Sequence, residues 1–300
     1  DIEVVDLLIL QSIILGIPQG ALYGLMAFGI SLIFRTVGVM NFSHGNAGMF
    51  SAFIALTVFL LTQNLLLAIL CAVIFGILLG FLIEKFLMRP VKHLSHGGML
   101  IITLGILMIL EGLAQIIWGV NPFSFNELVS GPPLMFTLGE DGLLILPLND
   151  LLITVISLGI TILLAVFLKV TKVGIAIRAR SQDEVGSKVV GINTNMIDGL
   201  VWGIGISLSA LVGVLIAPKT TVTPTMMMNM QLYGFTAGVL GGFTSLYGSI
   251  LGGIILGILE KIVGIYISPD YQLTIILLII ILMLAFKPSG LFAKKFEGRV

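Results

Sequence analysis

Few side chains in this sequence could do chemistry, and their spacing limits what that chemistry could be. His44, His93 and His96 are scattered over polar stretches. His93 and His96 have a usable metal-ligand spacing, but no acid or cysteine stands beside them. Cys71 lies alone in an apolar run, without a disulfide or metal partner, and reads as a small buried hydrophobe. No nucleophile–base pair and no G-x-x-x-x-G-K-[ST] phosphate loop occurs, so the chain cannot hydrolyse ATP by itself. It reads as a non-enzyme with no metal site and no bound cofactor of its own. What remains are polar groups set in apolar surroundings. Glu111 sits inside a long apolar run, where a carboxylate costs about 2.5–3.5 kcal/mol at the centre of a membrane helix. It is either a contact on a translocation pathway or one half of a helix–helix hydrogen bond. Asn41, Ser43 and His44 cluster at a helix break, a place where exposed backbone dipoles hold small ions or zwitterions. The alternative is a turn in which Ser43 or Asn46 caps the following helix. Gly241 and Gly242 open a second Gly-rich break, through Gly248.

The elements that carry these residues follow from composition. Of the sequence 58% is hydrophobic and only 10% charged, against roughly 25% charged in a soluble domain. Such a chain cannot cover a globular surface, and its solvent is lipid. The net charge of zero gives no pull toward nucleic acid. Near the start stand Asp1, Glu3 and Asp6 without a basic residue, and the run from Leu7 to Ile33 is too long for a signal-peptide core, so it reads as a span. Apolar runs long enough to cross predict further spans near 47–62, 65–83, 99–118, 151–168, 199–217, 249–265 and 271–286.

Loop charges orient them. Lys85, Arg89 and Lys92, then Lys169, Lys172, Arg178, Arg180 and Lys188, then Lys287, Lys294, Lys295 and Arg299 mark the cytoplasmic side. The loop 119–150 has no Lys or Arg but has Glu127, Glu140, Asp141 and Asp150, so it faces out, as does the acidic N-terminus. Parity then requires 232–265 to begin and end outside, which one straight helix cannot do. The break at Gly241–Gly248 predicts a short span or re-entrant helix at 232–243 before the span at 249–265. The expected fold is an all-α bundle of nine spanning or re-entrant segments, one permease domain over 1–300 with the C-terminus inside. Four segments on either side of the fifth span, each set with a Gly- and Asn-bearing break near its start, suggest an inverted repeat. The glycines 248, 252, 253 and 257 form two small-xxx-small pairs that let other helices approach closely. Met226–Met228 and Met230 read as soft apolar surface in an outward loop.

The cytoplasmic loop 169–198 carries a pattern of its own. Ser181 and Glu184 fit a capping box, and Val185, Val189 and Ile192 then form one apolar stripe. Glu184 and Lys188 make an i,i+4 pair, and Gly191 stands where a C-terminal glycine ends a helix. A short amphipathic helix results. Its stripe lies on the bilayer surface or on the protein's own loops, or it docks a cytoplasmic partner.

Here the sequence resembles a known family. Gly174–Glu184 followed by Gly191-Ile192-Asn193 is similar to the coupling loop of ABC-importer permeases of the branched-chain amino-acid family. Gly38–Gly45, Val239–Gly248 and Lys287–Phe292 resemble that family in the same order, nearly end to end. Ser43 and Gly186 stand where the family usually has Ala. The resemblance implies a subunit that pairs with a second permease, homologous or identical. It also implies two cytoplasmic ATPase subunits that bind ATP and Mg, and an extracytoplasmic binding protein that delivers substrate. Arg178, Ser181, Asp183, Glu184, Val185, Val189, Gly191 and Asn193 would meet the ATPase, while Asn41, Ser43, His44, Glu111, Gly241 and Gly242 would line or shape the pathway. It implies the cytoplasmic membrane of a prokaryote and branched-chain or other small apolar amino acids as cargo. Urea or a short amide is the alternative cargo within the family. A self-contained secondary transporter is the rival class, but it would need paired intramembrane acids, and Glu111 is nearly alone. An aquaporin-type channel would need two Asn-Pro-Ala signatures, and the chain has only Asn121-Pro122-Phe123.

Overall fold

A computed structural model describes residues 2–138, 142–287 and 289–292. Asp1, Glu140, Asp141, Pro288, Lys294, Lys295 and Arg299, used above in reading motifs and loop charges, lie outside the described residues, as do the side chains of Glu3 and Asp6. The apolar runs are helices, and polar caps extend them beyond the runs. α1 is Ile2–Val37, α2 His44–Thr62 and α3 Leu65–Leu82, the last begun by Asn64, whose side chain accepts from the Leu67 N–H at 3.0 Å. α3 runs on through a π turn, Ile83–Met88, and a 3-10 turn, Arg89–Val91. α4 is His96–Trp118, capped by Ser95, and α5 is Leu148–Val170. In the cytoplasmic loop lie α6, Lys172–Gln182, and α7, Glu184–Val189. α8 is Thr194–Thr220, α9 Met228–Gly241, α10 Leu246–Tyr266 and α11 Gln272–Phe286.

Among the described residues, eight helical segments are long and apolar enough to cross a membrane. α9 is not one of them. Its 14 residues rise about 21 Å, short of the ~30 Å hydrocarbon core. Eight spans and one short helix give the nine segments expected. The element order also repeats: a long helix, a non-helical stretch and a further helix occur at α1, 38–43 and α2, and again at α8, 221–227 and α9.

The 119–150 loop departs from an all-helical reading. Leu134–Leu138 (β1) and Gly142–Leu146 (β2) pair antiparallel with Leu134 opposite Leu146. Pro132-Pro133 and Pro147 bound the two runs, and five residues are too few for a helix to compete. Cys71 is half-buried rather than buried. Met226, Met227 and Met230 are buried, so only Met228 keeps the exposed character expected of that loop.

The chain forms two compact units. One gathers the described residues of 28–126 and 161–232. Its centre is α8, packed by α2 and α3, and 83% of its apolar window is buried against 22% for α4. That difference makes α8 a core element and leaves α4 a broad face for lipid or a partner. Small residues let the helices meet: a side chain at Gly80 would collide with the Trp202 carbonyl, and one at Gly48 with Ser209.

The other unit gathers the described residues of 1–27, 127–160 and 233–300. There α1 and α10 run antiparallel with backbones in contact, Gly16, Gly20 and Gly24 against Ile250, Gly253, Ile254, Gly257 and Ile258. The second glycine pair, Gly248 and Gly252, seats α10 on Gly241 and Ala237 of α9. Gly242, at φ +90, turns the chain between them in a conformation other residues adopt only with strain. The segment after α11 closes over this turn: Leu291 N–H donates to the Leu240 carbonyl at 2.8 Å and Phe292 N–H to Gly241 at 3.3 Å.

Candidate functional site

Two polar clusters lie in the α8-centred unit, one at each helix break or loop the sequence singled out. The first is where α2 starts. The stretch 38–43 leaves the N–H groups of the first turn of α2 without helical partners. Ser43 occupies the cap position but does not cap: its hydroxyl donates to Asn41 Oδ1 at 2.7 Å, and Asn46 reaches the Leu107 carbonyl instead. The expected Ser43 or Asn46 cap is therefore corrected. The cap comes from α9, where Gln231 accepts from the Gly45 N–H and donates through Nε2 to the Asn41 carbonyl at 3.2 Å. Ser209 of α8 donates to the His44 carbonyl at 2.7 Å. Asn41, Ser43 and His44 have no exposed surface. The His44 ring lies against Gly29, and among the described residues neither ring nitrogen has a hydrogen-bond partner. The break before α2 thus meets the first turns of α9, and the sequence-predicted trio is brought together with a fourth residue, Gln231.

The second cluster is the loop. α6 runs to Gln182, and Ser181 donates to the Arg178 carbonyl inside it at 2.8 Å. The capping box is corrected: Asp183, extended at φ −154, is the cap, accepting from the Val185 N–H at 2.9 Å, and Glu184 opens α7. The acid two residues on replaces the serine because the helix break falls after Gln182. Glu184 is freed for side-chain pairs, with Arg180 at 2.9 Å and Lys188 at 2.8 Å. The hydrogen bond from Lys188, with Arg180 and Lys92 nearby, holds its carboxyl below the usual glutamate range despite partial burial. Gly191, at φ +84, ends α7 as expected, and Ile192 N–H reaches the Ser187 carbonyl at 2.9 Å. Asn193 caps α8, accepting from the Met196 N–H at 3.1 Å. Arg178 is exposed and donates to the Lys169 carbonyl at 3.2 Å. Val185, Val189 and Val190 are 70%, 81% and 74% exposed, so nothing among the described residues covers the apolar side of α7.

Beneath α7 lie acids that the sequence did not single out. Asp198 and Glu84 are fully buried and surrounded by cations. Lys92 reaches Asp198 at 2.7 Å and Glu84 at 3.5 Å, Arg180 reaches Asp198 at 3.1 Å, and Arg89 pairs with Glu84. A lone acid five residues after the Asn193 cap, at the charged end of a span, was the available signal.

The remaining site residues stand apart. Glu111 flanks the buried stripe of α4 (Met99, Thr103, Ile106, Leu110, Ala114) and is half-buried. Gly241 and Gly242 form the α9–α10 turn, packed on backbone. In their unit Glu260 is a buried acid that accepts from the Tyr23 hydroxyl at 2.7 Å, with the Tyr233 ring 4.6 Å from that of Tyr23. Among the described residues no group of three or more His, Cys, Asp or Glu could hold a metal.

Comparison with known proteins covers almost the whole chain. The family described as "Branched-chain amino acid transport system / permease component" matches residues 12–284. The chain is similar to the high-affinity branched-chain amino acid transport system permease protein LivH of Salmonella typhimurium, 26% identical, with 95% of this chain and 96% of that protein covered. It is similar to BraD of Pseudomonas aeruginosa, named likewise, at 27% identity with the same coverage of both. Its fold is similar to a chain in the solved structure of PsaBC from Streptococcus pneumoniae in complex with Fab, at TM-score 0.52 and 15% identity, covering 92% of this chain and 91% of that one.

Proposed function

The chain belongs to the branched-chain amino acid permease family, a family of membrane transport components rather than enzymes, and from that premise we propose that it carries small apolar amino acids inward across the cytoplasmic membrane, driven by ATPase subunits that dock on α7. The observation that carries this reading is the match over 12–284. The uncovered valines of α7, Val185, Val189 and Val190, support the docking part. A six-residue helix with that much exposed apolar surface gains stability when a partner groove covers it. A second permease subunit, two ATPases and an extracytoplasmic binding protein complete the assembly. The cargo is of the class that the names of LivH and BraD give.

The N-terminus faces out and the C-terminus in. The clasp of Leu291 and Phe292 on Leu240 and Gly241 supports this orientation, because it puts the α9–α10 turn at the end of its unit where α11 finishes. α9 then runs inward, and the two halves of the chain have opposite topology.

The test is purification of the tagged chain from native membranes, followed by reconstitution with the ATPase subunits that accompany it and with the binding protein. ATP-dependent uptake of leucine, and none of urea, is expected. Uptake that proceeds without any ATPase subunit would overturn the reading.

A further inference from the structure

Six charged groups of alternating sign run in one chain: Glu84, Lys92, Asp198, Arg180, Glu184 and Lys188. The links are 3.5, 2.7, 3.1, 2.9 and 2.8 Å. They join four segments of the same unit: the π turn after α3, the turn before α4, the α6–α7 loop and the start of α8. Exposure falls from Lys188 inward to Asp198, and Lys92, beyond it, is 29% exposed. Lys188 is 57% exposed and Glu184 40%, whereas Arg180 is 8% and Asp198 and Glu84 have none. A surface decoration of ion pairs would stay exposed throughout. Burying two carboxylates is costly, and the arrangement persists only because each is paired at short range by a cation.

Asp198 is the node. It receives Lys92 from one side and Arg180 from the other, and its own helix is the most buried span of the chain. From Asp198 that helix runs up to Ser209, which holds the His44 carbonyl at the start of α2. The eleven-residue step between them rises about 16 Å along the helix. Arg180 bridges this node to Glu184 at the first residue of α7. Apart from the connection 190–193, α7 makes few contacts with α8. We infer that the Asp198–Arg180–Glu184 pairs form a strut that makes α8 follow α7, so that movement of the docking helix reaches the break at Asn41–His44. Asp198 and Arg180 are positioning residues in this scheme. They touch neither cargo nor ATPase, and Lys92 and Glu84 anchor the strut's fixed end. The inference rests on the docking reading given above.

The experiment uses the complete transporter in proteoliposomes and three readouts: ATPase subunits retained on purification, rate of ATP hydrolysis, and leucine taken up per ATP hydrolysed. Asp198→Asn keeps the shape and removes the charge that both cations need. Retained ATPase and hydrolysis within about twofold of the unchanged protein are expected, with uptake per ATP lowered at least tenfold. Asp198→Glu restores the charge and should recover most of the uptake. Arg180→Gln cuts the strut while leaving Asp198 paired with Lys92, and it gives the same reading if Asp198→Asn does not fold. The strut is overturned if either variant loses ATPase subunits and uptake in parallel, which would make the cluster part of the dock. It is equally overturned if uptake per ATP is unchanged in both. Failure of the docking reading looks different: the unchanged protein itself would retain no ATPase.

Discussion

α8 carries a polar cluster at each of two levels, and the two are built to opposite rules. At Ser209 the partners are neutral, fully buried and packed against glycines: the His44 carbonyl there, with Gln231 on Gly45 and Asn41 in the same shell. At Asp198 they are ionic and grade outward to water through Arg180, Glu184 and Lys188. A sealed neutral network has no alternative partners, so it fixes one geometry. The exposed members of the ionic chain, Glu184 and Lys188, can exchange partners for water and salt at little cost, while Asp198 and Arg180 stay buried and paired. One helix therefore has a fixed end and an adjustable end. Transmission through a membrane subunit needs both.

The comparison is open to direct attack. The largest effect is expected at the neutral end. Gln231→Leu leaves the Gly45 N–H buried and unpaired, at roughly 1–3 kcal/mol, and leaves the Asn41 carbonyl only its 3.4 Å bond from the His44 N–H. The thermal midpoint of the detergent-solubilised protein should fall steeply, and an unchanged midpoint would mean the network does not fix the break. Next, Gly80→Val drives a side chain into the Trp202 backbone and should cost about 1–3 kcal/mol in the same assay. At the adjustable end, Val189→Asp should leave the midpoint alone, because Val189 is 81% exposed. It should weaken ATPase binding about tenfold or more, as truncations at the centre of interfaces do. Equal loss of stability and binding would erase the distinction between the two ends.

The smallest effect concerns pH. The Glu184 carboxyl is held low in the folded protein by Lys188 and Arg180. A depressed acid stabilises the fold above its unfolded pKa and loses that contribution as pH falls through the folded one. Midpoints of the unchanged protein and of Glu184→Gln should differ by a small constant amount from pH 6 to 8 and converge in acid. Glu184 is 40% exposed, so solvent screening keeps the difference to a fraction of a kcal/mol. Convergence at neutral pH instead would show that the pair contributes nothing.

What the sequence made legible follows from what is local. Apolar runs located every span, but the ends were set short. Asn193 begins α8 five residues before its apolar run is dense, and capping residues are polar by nature. The glycines at 253 and 257 were readable as a contact face, yet their partners at 16, 20 and 24 have the same four-residue spacing and drew no notice. Gln231 was invisible as a cap because the residues it holds are 186 and 190 positions away. Ser181 and Asp183 both suit a helix start, and only the break after Gln182 chooses between them. Asp198 looked like one more loop charge until Lys92 and Arg180 closed on it.

The glycine contact between α1 and α10 also has a meaning in time. A ribosome adds roughly 5–20 residues per second. α1 enters the bilayer early, while the helix that fills its glycine face is about 230 residues later in the chain, a wait of roughly 10–50 s at that pace. During that interval Gly16, Gly20 and Gly24 present bare backbone to lipid, with Tyr23 not yet joined to Glu260. The unit that holds α1 and α10 can close only after synthesis of α10. A chain cut off before Leu246 would keep that face open.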